Sequence, residues 1–191
     1  DVEFRLTQRA ATADELAWIR AAGRASEATE LRAMARGGEG DSAKRGIVEV
    51  KAVDQAYPLY GSLDLAGGGT LADVLARRDG RWGAVADPDI ASRLGVAVGQ
   101  VLHLGDLDIE LRGLIAHEPD KGTSLLRFGP RVMLSTAALA ETGLVQPGSL
   151  VYHAYRIALP PGRDPARVLE EAGQRFPQAG WRMRSHNQAD A

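Results

Sequence analysis

Apolar and polar residues alternate in four segments of the chain, and a period of two residues is typical of half-buried β-strands. The segments are residues 2–6, 27–35, 47–53 and 181–184, and residues 152–159 are also strand-like. A turn-rich stretch of Gly, Asp and Ser separates the second segment from the third, which predicts a β-hairpin. The pattern therefore places strands at both ends of the chain.

Helix-start signals lie between these strands. Thr12 comes three residues before a glutamate, the spacing of a capping box, and it predicts a helix over residues 13–22. The dipeptides Asp87-Pro88 and Asp164-Pro165 each predict a further helix, with Asp as the N-cap and Pro as the first helical residue. Apolar residues recur at helical spacing after the first and the last of these signals, so both helices are expected to bury one face.

The two ends of the chain share a β-α-β order, whereas the middle has a different character. Residues 95–115 combine short apolar runs with frequent glycines, a pattern typical of a small barrel or a strongly bent sheet. We predict an α+β fold. Residues 1–64 and 150–191 would form one α+β subdomain built from both chain ends, and residues 65–149 an inserted β-rich subdomain.

Composition narrows the range of functions. The chain has 191 residues, 45% of them hydrophobic and 25% charged, so it is long enough for one domain or two small ones with an apolar core. Its net charge of −2 leaves no basic excess for nucleic-acid phosphates. Cysteine is absent, which excludes disulfides and cysteine nucleophiles without fixing the compartment. The longest uncharged run, residues 142–155, is too short and too polar to span a bilayer.

No arrangement of residues indicates catalysis. The glycine runs lack the Lys-Ser or Lys-Thr ending of a phosphate-binding loop, and Gly-x-Ser-x-Gly is absent. His117, Glu118 and Asp120 form one local cluster, which is more often a polar turn than a metal site. Asp87 and Asp89 are better explained by the first turn of a helix than by acid–base catalysis. We expect no catalytic, cofactor-binding or metal-binding residue, and no enzyme activity.

The segment from Glu118 to Pro130 is expected to form a long, solvent-facing loop. It joins two strand-like segments through about ten residues, and connections of that length are often functional. Leu125, Leu126 and Phe128 follow neither a helical nor a strand period, so they are candidates for contact with a partner or a substrate. The alternative is that these side chains fold back as a lid on the β-rich core.

Several motifs occur in the order of a known family. They are residues 51–61, 87–104, 118–120, 129–131 and 142–149. In these motifs the chain resembles the extracytoplasmic domain of an FtsX-like, MacB-type ABC transporter permease, and the most similar branch is that of the export permeases linked to lysophospholipase. Gln100 stands where an acid is usual in the family. The resemblance extends over nearly the whole chain.

The resemblance implies an architecture and a set of partners. In the family, a porter-like β-α-β part built from both ends carries an inserted β-rich part, and the domain lies on the periplasmic side of the bacterial inner membrane. The implied partners are the permease's transmembrane helices, a cytoplasmic ABC ATPase and a second permease half, with a periplasmic protein or a lipid as the candidate substrate. No catalytic residue of this domain is known in the family, so none is transferred.

Three functions are compatible with the sequence. The first is a non-catalytic periplasmic domain that couples transmembrane motion to export or extraction of a lipid, lipoprotein or protein. The second is a free-standing extracytoplasmic module that binds a ligand or a peptide, and the third is a hydrolase. The chain begins at Asp1 without Met or a signal peptide, which favours an excised fragment over an N-terminally processed protein.

Overall fold

A computed structural model describes residues 1–40, 43–119 and 129–185. Within these ranges the chain forms ten strands and five helices. The strands are β1 (Val2–Thr7), β2 (Arg24–Gly37), β3 (Lys44–Val53), β4 (Asp64–Ala66), β5 (Trp82–Ala86), β6 (Val101–Leu104), β7 (Leu107–His117), β8 (Arg131–Ser135), β9 (Val151–Ala158) and β10 (Arg182–Ser185). The helices are α1 (Ala13–Ala22), α2 (Leu71–Leu75), α3 (Ile90–Leu94), α4 (Thr136–Glu141) and α5 (Pro165–Arg175). None of the helices in these ranges has the length and hydropathy needed to cross a membrane.

The strands from the two chain ends form an antiparallel sheet in the order β10-β1-β9-β2. Phe4 of β1 lies opposite Tyr155 of β9 and Met183 of β10. The units β1-α1-β2 and β9-α5-β10 interlock as in ferredoxin-like folds. Ile19 of α1 and Val168 of α5 join one buried core with Phe4 and Tyr155. Helices α1 and α5 each bury one face, as the sequence predicts, and both faces contribute to the same core.

The middle strands close into a barrel. The strand order continues from β2 through β3, β8, β5 and β7, and β6 pairs with both β7 and β2, so six strands form a closed circuit. The circuit closes where Ala35 of β2 lies opposite Leu104 of β6. Its interior is filled by apolar side chains such as Val50, Leu111 and Val132, each with no exposed surface. Of the small barrel and the strongly bent sheet that the sequence allows, the structure has the barrel, and β2 and β3 from the first part of the chain belong to it.

Strand β2 belongs to both the terminal sheet and the barrel. Its first eight residues pair with β9, whereas its last three pair with β6. Leu31 and Val50, which both precede residue 64, contribute to the barrel core. Hydrogen bonding is therefore continuous from the sheet into the barrel. The α+β fold class is confirmed, whereas the domain boundaries at residues 64/65 and 149/150 stay a prediction.

Two of the helix starts form as predicted. Thr12 Oγ1 accepts a hydrogen bond from the backbone N–H of Glu15, and Glu15 Oε2 accepts one from the backbone N–H of Thr12. This reciprocal capping box satisfies two N–H groups at the start of α1. Asp164 caps α5 with a single bond, which its carboxylate accepts from the backbone N–H of Ala166, and Pro165 is the first residue of that helix.

The third predicted helix start is wrong in its detail. Helix α3 begins at Ile90, and Asp87 is not its N-cap. The Asp87 carboxylate instead accepts a hydrogen bond of 3.1 Å from the backbone N–H of Arg131. The Asp87 side chain therefore binds the backbone of Arg131 and does not cap the helix. This hydrogen bond joins the end of β5 to the start of β8.

Candidate ligand-binding cleft

A cleft of about 560 Å3 lies where the terminal sheet meets the barrel. Its lining includes Arg5 and Ala154 from the sheet, and Val50 and Arg131 from the barrel strands. We call it the junction cleft. A volume of this size is within the range of small-molecule binding sites.

Small side chains form the floor of the junction cleft. Ala28 of β2 lies directly opposite Ala154 of β9, and Ser26 lies opposite Arg156 in the same register. Because neighbouring side chains on a strand alternate between faces, these residues project away from Tyr155, which packs against the helices. Small groups flanked by long arginines leave a depression on the face that the helices do not cover.

An ion cluster around Glu3 adjoins one wall of the junction cleft, which Arg5 and Arg156 line. The Glu3 carboxylate oxygens lie 2.5 Å from Arg5 Nε, 2.8 Å from Arg156 Nε and 3.1 Å from Arg184 Nη2. Burial raises the pKa of Glu3, but the hydrogen bond from Arg156 and the charges of Arg5 and Arg156 outweigh this and hold the pKa below its ordinary value. Glu3 is therefore ionised at neutral pH, and three guanidinium groups share one carboxylate.

Arg131 lies at the other end of the junction cleft and is buried. Its Nη1 is 3.6 Å from Glu30 Oε1, its Nη2 is 4.0 Å from Glu49 Oε2 and its Nε is 3.6 Å from Glu118 Oε2. Buried charges are stable in proteins only when they are paired. Arg131 is therefore held in place by carboxylates that come from β2, from β3 and from the residue after β7.

Beside Arg131, Lys51 is buried in contact with Glu118 and Tyr57. Lys51 Nζ lies 2.9 Å from Glu118 Oε1 and donates a second hydrogen bond of 2.9 Å to the hydroxyl of Tyr57. Both the lysine and the glutamate side chains are almost completely removed from solvent. These contacts fix the end of β7 against β3, next to the cleft-lining Tyr57.

The rim of the junction cleft near Arg131 is apolar. Leu144, Leu150 and Tyr152 line it, and Leu150 and Tyr152 are 59% and 49% exposed. Tyr152 lies opposite Glu30 in the sheet register, four residues before Arg156. At about 3.3 Å per residue, the apolar rim and the Glu3 cluster are roughly 13 Å apart along β9.

His153 lines the same cleft but contributes no charge at neutral pH. Its Nδ1 lies 3.1 Å from Thr29 Oγ1, and both residues are buried. Burial lowers the pKa of His153 below its ordinary value of 6.5. The charge of the cleft at neutral pH therefore comes from its arginines and glutamates.

The contact residues predicted from the sequence, Leu125, Leu126 and Phe128, lie outside the described residues. Their role stays a prediction, and Asp120 also lies outside. Glu118 pairs with Lys51, whereas His117 is exposed. In the described ranges, no group of three His, Cys, Asp or Glu side chains is placed to hold a metal ion.

The other polar candidates in the sequence have structural partners. Asp89, the residue before α3, pairs with Arg93 at 2.9 Å, and Asp87 accepts the hydrogen bond from the backbone N–H of Arg131. These contacts explain both residues without an acid–base pair.

The residues of the junction cleft were missed by reasoning from the sequence. Glu3, Arg5 and Arg156 occupy the polar positions of alternating strands, which the period of two assigns only to the side away from the core. The order β10-β1-β9-β2 brings them together. A polar Glu49-x-Lys51 pattern within an otherwise apolar strand was the available signal for the buried cluster.

No protein-family model matches the chain. Over 110 residues it is 33% identical to the uncharacterized ABC transporter permease YbbP of Escherichia coli (strain K12). The match covers 58% of this chain and 13% of that permease, so the chain spans a small part of the length of this relative.

Solved structures resemble the fold over nearly the whole chain. The periplasmic region of MacB from Actinobacillus actinomycetemcomitans matches with a TM-score of 0.61 at 7% identity, over 99% of this chain and 90% of that one. The extracellular domain of the ABC-type transporter YknZ from Gram-positive bacteria matches with a TM-score of 0.62 at 10% identity, over 97% of this chain and 100% of that one. The chain has the MacB-type permease-domain fold.

The MacB-type fold confirms the resemblance and the α+β fold class that the sequence predicted. In the matching proteins the corresponding regions are periplasmic or extracellular. The link to a lysophospholipase stays a prediction.

Proposed function

We propose that this chain is a non-catalytic extracytoplasmic domain of an ABC transporter permease. In this role it couples motion of the transmembrane helices to export or extraction of a lipid, lipoprotein or protein. The proposal rests on the MacB-type fold, which extends over 99% of the chain, and the partial identity to a permease supports it. The partners are the permease's transmembrane helices, a cytoplasmic ABC ATPase and a second permease half, at the periplasmic side of the bacterial inner membrane.

The terminal strands suit a domain inserted between two membrane helices. β1 and β10 are antiparallel neighbours, and Val2 lies opposite Ser185. A chain that enters such a domain from the membrane and returns to it needs both connections on one side. Adjacent first and last strands provide this arrangement, and they place both connections on the same sheet.

The continuous sheet provides a path for motion. β2 has 14 residues, which is roughly 45 Å at 3.3 Å per residue, and it is hydrogen-bonded to β9 at one end and to β6 at the other. A displacement of the terminal sheet therefore moves the barrel as one body, because no flexible linker separates them in β2. In this proposal the barrel is the part that carries the motion away from the membrane.

The absence of cysteine allows a direct test of the location. Ser62→Cys places a single thiol at an exposed position of the chain. In cells that express the full-length gene product, with any other cysteine replaced, a membrane-impermeant maleimide is expected to label this thiol without lysis. The control is the same protein with Ser62 intact.

Two outcomes would contradict the proposal. Labelling only after the inner membrane is permeabilised would place the domain in the cytoplasm. Recovery of the full-length gene product in the soluble periplasmic fraction would favour the alternative of a free-standing binding module.

A further inference from the structure

The junction cleft carries a positive excess in a chain that is negative overall. Four arginines and two glutamates are among its described lining residues. Glu3 and Arg184 complete the adjoining ion cluster, which gives five arginines against three glutamates. The chain as a whole has a net charge of −2. Charges of one sign concentrated in a concave site attract ligands of the opposite sign.

The unbalanced positive charge and the exposed apolar surface occupy different ends of the junction cleft. At the end that holds Arg131, the lining arginines are matched by Glu30 and Glu49, so the excess lies with Arg5 and Arg156. Arg5 and Arg156 flank one end of the small-residue floor, and Leu150 and Tyr152 lie at the other. Leu150 and Tyr152 are among the large hydrophobic side chains that remain exposed in the described structure. A ligand that covers both ends needs an anionic group and an apolar body.

We propose that the junction cleft binds an anionic amphiphile, with its carboxylate or phosphate head group at Arg5 and Arg156 and its apolar part along Ala28, Ala154 and Tyr152. Guanidinium groups bind carboxylate and phosphate through charge-assisted hydrogen bonds. The alanine floor gives an acyl chain room to lie along β9, and the rim residues lose exposed apolar surface on binding. Glu3 competes with the ligand head group for the same guanidinium groups.

This inference deepens the proposed function, since it names the class of substrate that the domain would handle. Only the statement that the ligand is a transported substrate rests on the proposed function. Binding is a property of the chain itself and is measured on the chain alone. A negative binding result leaves the labelling test of Ser62→Cys unaffected, so the two proposals fail separately.

Isothermal titration calorimetry with three probes tests the proposal. Octyl phosphate, below its micelle concentration, carries both an anionic head group and an acyl-like chain, whereas octyl glucoside lacks the charge and inorganic phosphate lacks the chain. We expect octyl phosphate to bind at least about tenfold more tightly than either control, because each control loses one set of contacts. Equal affinity for octyl glucoside, or for inorganic phosphate, overturns the proposal. So does the absence of binding.

Variants of the floor locate the binding site. Ala154→Leu fills the depression without changing a charge, and we expect it to weaken octyl phosphate binding about tenfold or more. Ala137→Leu, at an exposed position of α4, is the matched control and is expected to have no effect. If Ala154→Leu retains its fold by circular dichroism and binds like the unaltered chain, the ligand does not occupy the junction cleft.

Removing the competing carboxylate gives a result of opposite sign. Glu3→Gln leaves three arginines without their shared anion, and we expect it to tighten octyl phosphate binding several-fold while leaving octyl glucoside unaffected. Glu171→Gln, which alters an exposed ion pair with Arg163, is the control. Unchanged or weaker octyl phosphate binding by a folded Glu3→Gln variant contradicts the placement of the head group.

Discussion

Lys51 and Glu118 form an ion pair that solvent does not reach. Nζ and Oε1 are 2.9 Å apart, and the two side chains are 1% and 0% exposed. The pair joins β3 to the residue after β7, although β3 and β7 are not neighbours in the sheet. It is therefore a tertiary connection across the barrel strands, beside the lining of the junction cleft.

Breaking this pair from one side is expected to be costly. Lys51→Met leaves the Glu118 carboxylate buried without its nearest cation, and we expect the free energy of unfolding in urea to fall by about 3–5 kcal/mol. The double variant Lys51→Met/Glu118→Leu removes both charges of the pair and should recover part of that loss, since Arg131 loses Glu118 but keeps Glu30 and Glu49.

The exposed pair Arg93–Asp89 is the control for this prediction. It has the same separation of 2.9 Å, but its side chains are 58% and 46% exposed. Arg93→Ala should cost about 1 kcal/mol or less. A Lys51→Met variant as stable as Arg93→Ala would show that the buried pair does not hold β3 and the end of β7 together.

The barrel core and the rim of the junction cleft each contain a leucine, and the two differ in burial. Leu111 has no exposed surface and lies in the barrel interior, whereas Leu150 is 59% exposed. Leu111→Ala is expected to lower the free energy of unfolding by about 2–5 kcal/mol, because it leaves a cavity. Leu150→Ala should change it by less than about 0.5 kcal/mol. Similar effects in chemical denaturation would contradict the closed barrel core.

Glu27 makes stability depend on pH. Asp54 Oδ2 accepts a hydrogen bond of 2.9 Å from the backbone N–H of Glu27. Burial and the charge of Asp54 raise the pKa of the Glu27 carboxyl above its ordinary value of 4.5. The folded state therefore binds this proton more tightly than the unfolded chain does. Ionised Glu27 therefore destabilises the folded state at pH values above its raised pKa. This destabilisation disappears below pH 4.5, where the carboxyl is protonated in both states.

We therefore expect Glu27→Gln to raise the free energy of unfolding near pH 7 and to have little effect at about pH 4. Urea titrations at a series of pH values measure this difference. Glu170→Gln, at an exposed position of α5, is the control and should show no such trend. If the stability gained by Glu27→Gln grew as the pH fell, the pKa of Glu27 in the folded state would not be raised, and the prediction would be wrong.

Gly105 combines a left-handed backbone with a close approach. Its φ is +60°, and a Cβ atom there would lie 2.1 Å from the carbonyl oxygen of Thr142. Gly99 has φ of +89° and open space at the same position. Both Gly→Ala variants incur a backbone cost of about 1 kcal/mol. Gly105→Ala should be roughly 1–2 kcal/mol less stable than Gly99→Ala in thermal or urea unfolding. The new Cβ atom would collide with the carbonyl oxygen of Thr142, so the backbone there must move. Equal stabilities would show that the turn after β6 is not packed against Thr142.

The parts of the fold that depend on local signals were predictable. Thr12 and Asp164 cap their helices as the sequence indicates, since their partners lie within three residues. Asp87 has the same local sequence signal, but its partner is the distant backbone of Arg131. The local sequence around Asp87 does not indicate a hydrogen-bond partner that lies 44 residues away. For the same reason, the closure of the barrel between β6 and β2 could be expected only as a class of structure, not as a strand order.

The candidate site depended even more on distant pairings. Alternation places Arg5 and Arg156 on the polar sides of their strands, but it does not show that both meet Glu3. That meeting follows from the pairing of β1 with β9, whose paired residues are about 150 positions apart in sequence. The sequence-based site at Leu125, Leu126 and Phe128 stays a prediction.

The coupling role is tested most directly by following the domain in the assembled transporter. A fluorophore on Ser62→Cys, in the full-length permease reconstituted with its ATPase in lipid vesicles, reports on the environment of the domain. We expect its emission to change when ATP is added, and to stay constant when the ATPase carries a substitution that prevents ATP binding. An emission that stays constant while the unaltered ATPase hydrolyses ATP would contradict a domain that moves with the transmembrane helices.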